Sequence, residues 1–174
     1  MAQQLTQKEQ LLLEDLKQHE KVCIKKYQDY ANQVQDPQLK ELLNNYAQQE
    51  QNHLNSINQM LAGQIPSMGQ GQLGQQSQQN QQSQQSQQNQ QNQQQQFSQT
   101  AAQQSGSEAN QNDAMLLNDL LMTEKYVSSA YDTAIFEFSD PQMRQALNHI
   151  QQEEQQHGEG IFNYMNAHGM YNPQ

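Results

Sequence analysis

The chain has 174 residues, of which 33% are apolar, with four Phe and no Trp, and its mean hydropathy is -1.13. That is too little apolar matter for one fully packed domain of this length, so part of it is expected to be unstructured. Eighteen acids against eight bases give a formal charge of -10, and no Lys/Arg stripe is concentrated enough to neutralise a run of phosphates, which argues against nucleic acid as a partner.

The N-terminus is polar and lacks the charged-then-apolar layout of a secretory signal, and no apolar run approaches the roughly 18 residues needed to span a bilayer. The expectation is a soluble protein made in the cytoplasm without a signal peptide and with no membrane insertion. The single cysteine, Cys23, cannot form an internal disulfide. Its place among apolar helix positions favours a small core residue over a reactive thiol.

Thr6-Gln7-Lys8-Glu9 is a capping-box pattern and predicts the start of a first helix, which runs to about Gln33. Its apolar residues recur at Leu13, Leu16, Cys23, Tyr27, Tyr30 and Val34 in steps of three and four, skipping only Glu20. Asp36-Pro37 then reads as an N-cap followed by the first helical residue. The second helix carries Leu39, Leu42, Leu43, Tyr46, Ile57 and Met60 on one seam and frays near Gly63.

Residues 62–112 change abruptly to Gln, Asn, Ser and Gly, with Glu108 the only charged side chain. Nothing in that composition offsets the entropy of ordering it, so it is expected to be a disordered Gln-rich linker able to self-associate. A coil of that length reaches roughly 40 Å, comparable with one long helix. The glutamines between Gln75 and Gln96, with no lysine among them, are also candidate acyl donors for cross-linking to neighbouring proteins.

Asn112-Asp113 offers the next cap. The third helix presents Leu117, Leu120, Val127, Tyr131, Ala134 and Phe138, with Glu124 in the gap. Asp140-Pro141 repeats the turn signal, the fourth helix shows Met143, Leu147, Ile150, Ile161 and Tyr164, and Gly169 is a plausible stop.

A shift of 104 positions superposes the two halves without a gap: Leu13 on Leu117, Glu20-Lys21 on Glu124-Lys125, Tyr27 on Tyr131, Asp36-Pro37 on Asp140-Pro141, Glu50-Gln51 on Glu154-Gln155, and His53 on His157. The unit is an antiparallel helical hairpin, which cannot bury its own apolar seam, and two of them make a four-helix bundle. The expected division is a first hairpin over 6–61, the linker over 62–112 and a second hairpin over 113–168, both hairpins forming one bundle.

Glu20 and Glu50 each lie fifteen residues from position 35, and Glu124 and Glu154 fifteen from position 139. Within each hairpin the two carboxylates therefore stand at one level, about 22 Å from the turn. Glu50 and His53, like Glu154 and His157, are three residues apart and share a helix face. Six ionisable residues, Glu20, Glu50, His53, Glu124, Glu154 and His157, thus occupy seam positions that call for apolar side chains. Buried carboxylates cost several kcal/mol each unless cations, protons or water compensate them.

A Glu from each of two helices and a Glu-x-x-His from each of the other two is the ligand set of the ferritin-like di-iron and di-manganese carboxylate proteins. Oxygen-rich ligands with one imidazole per metal suit iron or manganese better than zinc. Glu20 and Glu124 are then terminal carboxylates, Glu50 and Glu154 bridge, and His53 and His157 each bind through one ring nitrogen; no organic cofactor is expected. The alternative for the six is a partly protonated, hydrogen-bonded polar layer without metal. Tyr27 and Tyr131 read first as amphipathic core aromatics and second as hydrogen-bond partners of the site. His19, His149 and His168 read as surface residues or helix-end partners.

Leu13-Glu14-Asp15-Leu16 leading to Glu20-Lys21, the run Asn118 to Lys125, Ser129-Ala130-Tyr131, Glu153-Glu154-Gln155-Gln156 and the ending around Phe162 to Tyr171 resemble spore coat proteins of the coat F family from endospore-forming Firmicutes. The resemblance implies a ferritin-like bundle, a place in the spore coat and other coat proteins as partners. The function it favours is that of a structural or accessory coat protein with a metal-competent bundle. The alternative is a di-metal oxidoreductase resembling rubrerythrin, manganese catalase or a ferroxidase. The chain has one Cys, so no Cys-x-x-Cys pair exists for a rubredoxin-type iron centre.

Overall fold

A computed structural model describes residues 4–66 and 108–171, with side chains from 111 onward in the second stretch. Most of the expected Gln-rich linker, and with it the cross-linking glutamines, lies outside these residues. The described residues form four helices: α1 (Gln7–Ala31), α2 (Pro37–Leu61), α3 (Glu108–Glu137) and α4 (Pro141–Ala167). Among the described residues there is no strand, and no helix is long and apolar enough to cross a membrane.

Local chemistry sets the helix ends. The Thr6 amide donates to Glu9 Oε2 at 2.8 Å and the Glu9 amide to Thr6 Oγ1 at 3.2 Å, closing the capping box. Asp36 and Asp140 each accept from first-turn amides, with Pro37 and Pro141 as the first helical residues. Beyond α2 and α4 the chain turns out of the helix through Gly63 and Gly169, whose φ values of 71° and 67° lie where a Cβ is penalised. The third helix departs from expectation: it begins at Glu108, so Asp113 is an interior helical residue, only 5% exposed. Burial, and then the charge of Asp36, raise the Asp113 carboxyl above its ordinary range.

The two hairpins, α1 with α2 and α3 with α4, join edge to edge so that α1 lies beside α3 and α2 beside α4. Cross-helix contacts fix the direction. Along α1, Lys8 meets Glu137, Tyr27 meets Glu124 and Tyr30 meets Asp119, so α1 and α3 run antiparallel. The hairpin turns lie at opposite ends of the bundle, and α2 ends at the other end from where α3 begins. The interior is one cluster containing the seam residues of all four helices, among them Leu13, Leu16, Leu43, Leu117, Leu147 and Ile161, each at most 2% exposed.

Glu9 also ties the first hairpin to the second. Its Oε1 accepts from the Ser139 amide at 2.8 Å and from Ser139 Oγ at 2.9 Å in the α3–α4 turn. Burial would raise this carboxyl, but donation from Ser139 and Thr6 outweighs it and holds the pKa down at about 2. A depressed acid stabilises the fold above its unfolded value of 4.5, and that contribution is lost as pH falls through 4.5 towards the folded value. Glu9→Gln is expected to cost about 2 to 3 kcal/mol at pH 7. In urea titrations the difference between the two proteins should shrink steadily below pH 4.5; a constant gap down to pH 2 would exclude this role.

Candidate metal centre

All six seam residues are buried: Glu20, Glu50 and Glu154 are 0% exposed, and Glu124, His53 and His157 at most 2%. They converge in two overlapping groups, Glu20, Glu50, His53 and Glu154 in one and Glu50, Glu124, Glu154 and His157 in the other. In each group one ligand atom per residue lies within 4.8 Å of all the others. Glu50 and Glu154 belong to both groups, while Glu20 with His53 and Glu124 with His157 belong to one each. The distance from the turns explains the meeting: each carboxylate is equally far from its turn and near the middle of its helix, so hairpins with turns at opposite ends bring the two levels together.

The electrostatics are those of crowded carboxylates. Burial, then the charge of Glu50, pushes Glu154 up, and Glu20 rises chiefly through burial. Glu124 stands well above its ordinary value through burial and the neighbouring Glu154 and Glu50 charges. Glu50 is also penalised by burial but is held down by hydrogen bonds from His157 and His53. It is the member that keeps its charge, because four like charges at this spacing cannot all ionise unaided.

Both histidines face the layer with Nδ1. His157 Nδ1 lies 2.8 Å from Glu50 Oε1, and His53 Nδ1 lies 2.8 Å from Glu154 Oε1. Both turn Nε2 outward to an acceptor, His53 to Glu153 Oε2 at 2.9 Å and His157 to Gln49 Oε1 at 2.9 Å. An outer acceptor on Nε2 fixes each ring with Nδ1 facing the carboxylates, the nitrogen that would coordinate a cation once the cation displaces its proton. In addition Glu20 Oε2, Glu50 Oε2, Glu124 Oε2 and both oxygens of Glu154 are buried without a hydrogen-bond partner. Buried carboxyl oxygens without hydrogen-bond partners beside oriented imidazoles are a donor set that fits a pair of divalent cations.

Both readings of the tyrosines hold together. They are core aromatics, 0% exposed, but the Tyr27 hydroxyl donates to Glu124 Oε1 and the Tyr131 hydroxyl to Glu20 Oε1. Each crosses from its own helix to the outer carboxylate of the other hairpin, so the repeat is interlocked at the site. Burial and these carboxylates hold both phenols well above their ordinary pKa. Cys23 is the core residue expected, 0% exposed; burial, then the charges of Glu50, Glu124, Glu154 and Glu20, push its thiol far up. His149 is exposed and His168 caps α4, stacked on Tyr164 at 4.0 Å. His19, by contrast, is half-buried against Tyr126 at 5.3 Å with its Nδ1 unpartnered, and burial lowers its pKa.

Residue pattern alone passed over three supports of the site: Gln49, Glu153 and Tyr46. The Tyr46 ring lies 4.4 Å from that of His157, and its hydroxyl occupies the space over Gly160, where a Cβ would overlap Tyr46 Oη and lie 3.0 Å from Cζ. Glycine inside a helix is disfavoured by about 1 kcal/mol relative to alanine, so its presence here is explained by the close approach. Gly160→Ala should nonetheless destabilise, by about 1 to 3 kcal/mol, and by less when combined with Tyr46→Phe. A double-mutant cycle in urea checks this, and additivity of the two changes would refute the contact.

Residues 112–174 match the Coat F domain. This match falls on the second hairpin. The Coat F stretch supplies Glu124, Glu154 and His157, and the internal repeat supplies their counterparts from the first hairpin. The chain is also 38% identical over 63 residues to the Uncharacterized protein YusN of Bacillus subtilis (strain 168), an alignment covering 36% of this chain and 57% of that relative. The alignment thus spans little more than half the length of the curated relative. No solved structure matches.

Proposed function

We propose that this protein is a structural or accessory component of the bacterial spore coat whose ferritin-like bundle holds a pair of iron or manganese ions. The Coat F domain supports the location. The metal reading rests on one observation above all: the two buried Glu/His groups share Glu50 and Glu154 and no other members. In this reading both ions would share Glu50 and Glu154, Glu20 with His53 would hold one, and Glu124 with His157 would hold the other. Bound ions supply the positive charge that the orphaned oxygens need and, where redox-active, a route for electrons to small oxidants. Tyr27 and Tyr131 hold Glu124 and Glu20 in place from the opposite hairpin. The Gln-rich stretch between the hairpins mediates assembly with other coat proteins or with further copies of the chain.

Elemental analysis of protein purified without chelator from iron- or manganese-supplemented cells tests the metal. About two ions per chain are expected, and few for Glu50→Ala combined with Glu154→Ala. Fewer than about 0.2 ions per chain in the unmodified protein would leave the metal-free polar layer as the better description.

A further inference from the structure

The two halves of the site are related by the 104-residue repeat, and their inner ligands are identical: Glu20 and Glu124, Glu50 and Glu154, His53 and His157. The outer partners are not. The same shift places Gln49 on Glu153, and these are the two residues that hold the histidines. His53 Nε2 faces the Glu153 carboxylate and His157 Nε2 faces the Gln49 amide oxygen, each at 2.9 Å. Antiparallel packing of α2 against α4 makes the exchange reciprocal, since each hairpin supplies the outer partner for the histidine of the other.

From this difference we infer that the two metal positions are inequivalent, the one served by Glu20 and His53 binding a divalent cation more tightly than the one served by Glu124 and His157. The inference rests on the di-metal reading above. A carboxylate accepting from the outer nitrogen makes an imidazole a stronger donor and adds a negative charge near the cation; a neutral amide fixes the ring with no such charge. Both partners are side chains at the α2–α4 surface, and Glu153 is 31% exposed, so its charge is partly screened but directed at His53. Among the described residues the repeat also sets Tyr46, whose ring lies 4.4 Å from that of His157, against Ile150, and Cys23 against Val127, but neither donates a hydrogen bond to the six, and each outer carboxylate accepts from a tyrosine of the other hairpin. Gln49 and Glu153 are therefore positioning residues that set the order of filling.

The test is titration of the metal-free full chain with Mn2+, followed by calorimetry and by the electron paramagnetic resonance signal of free Mn2+. Two ions should bind in separate steps whose constants differ by about 10 to 100-fold. Glu153→Gln, which keeps an acceptor and removes the charge, should weaken the first step by about tenfold or more and leave the second unchanged. Gln49→Glu should strengthen the second. His157→Ala should abolish the weaker step and retain one that Glu153→Gln still weakens, which assigns the steps without relying on the fold of one variant. Two indistinguishable steps in the unmodified protein, or constants unmoved by Glu153→Gln, would overturn the inequivalence while leaving the metal centre standing. No Mn2+ binding at all would overturn both.

Discussion

Adding Mn2+ to the chelator-stripped protein is expected to raise its melting temperature by about 15 to 30 °C at saturating metal. A ligand that binds only the folded state stabilises it by RT ln(1 + [L]/Kd), about 4 kcal/mol per site at a free concentration a thousandfold above Kd, and two sites roughly double this. For a chain of this size each kcal/mol moves the transition by about 2 to 4 °C. The candidate ligands are in place beforehand: six side chains at most 2% exposed, five carboxylate oxygens without hydrogen-bond partners, and two Nδ1 atoms facing the carboxylate layer. A cation would therefore meet a site already organised and unfavourably charged, and its binding energy would emerge almost wholly as stability. Glu50→Ala with Glu154→Ala removes the two residues common to both groups and should abolish the shift. Scanning calorimetry with and without Mn2+ decides it. A shift below about 2 °C in the unmodified protein, or an equal shift in the double variant, would show that the ions are not held by this layer.

How far the sequence carries depends on whether a contact is local. The capping box, the Asp-Pro turns and the seam were readable because their physics acts within a turn or two of helix, and Thr6 with Glu9 is the clearest case. The convergence of the six polar residues was readable because the repeat places four carboxylates at equal distances from two turns and near the middle of their helices, a geometric constraint that survives either relative direction of the hairpins. Direction itself is tertiary, and which partner each residue reaches depends on it. Tyr27 reaches Glu124, and Tyr131 reaches Glu20, only because α1 and α3 are antiparallel; within one helix, Tyr27 is simply a core aromatic two turns from Glu20. Gln49 and Glu153 look like solvated residues next to a ligand until α2 and α4 are paired. One signal was nevertheless in the repeat, which sets a glutamine against a glutamate immediately before each Glu-x-x-His. The start of α3 failed for another reason. A cap preference at Asn112-Asp113 is worth about 1 kcal/mol, too little to stop a helix that extends back to Glu108 and buries Asp113.

Replacing the whole polar layer by apolar residues is expected to give a bundle more stable than the metal-free protein and indifferent to metal. The variant is Glu20, Glu50, Glu124, Glu154, His53 and His157 each changed to Leu, with Tyr27→Phe and Tyr131→Phe. Exchanging a buried ionic cluster for packed apolar side chains of similar volume commonly gains about 1 to 4 kcal/mol, because the desolvation penalty disappears while the packing remains. Here the starting layer is worse than usual, since three of its carboxyls are held above their ordinary pKa and five of its oxygens lack partners. The tyrosines must change with the ligands: with Glu20 and Glu124 gone, each retained hydroxyl is a buried donor without its acceptor, at about 1 to 3 kcal/mol. The six-residue variant should therefore fall below the eight-residue one by about 2 to 6 kcal/mol, a difference read from urea midpoints in EDTA. Should the eight-residue variant prove less stable than the metal-free protein, the carboxylates, histidines and tyrosines would constitute a self-satisfied hydrogen-bonded network. In that case the argument that buried charge at this level demands a cation would fail at its first step.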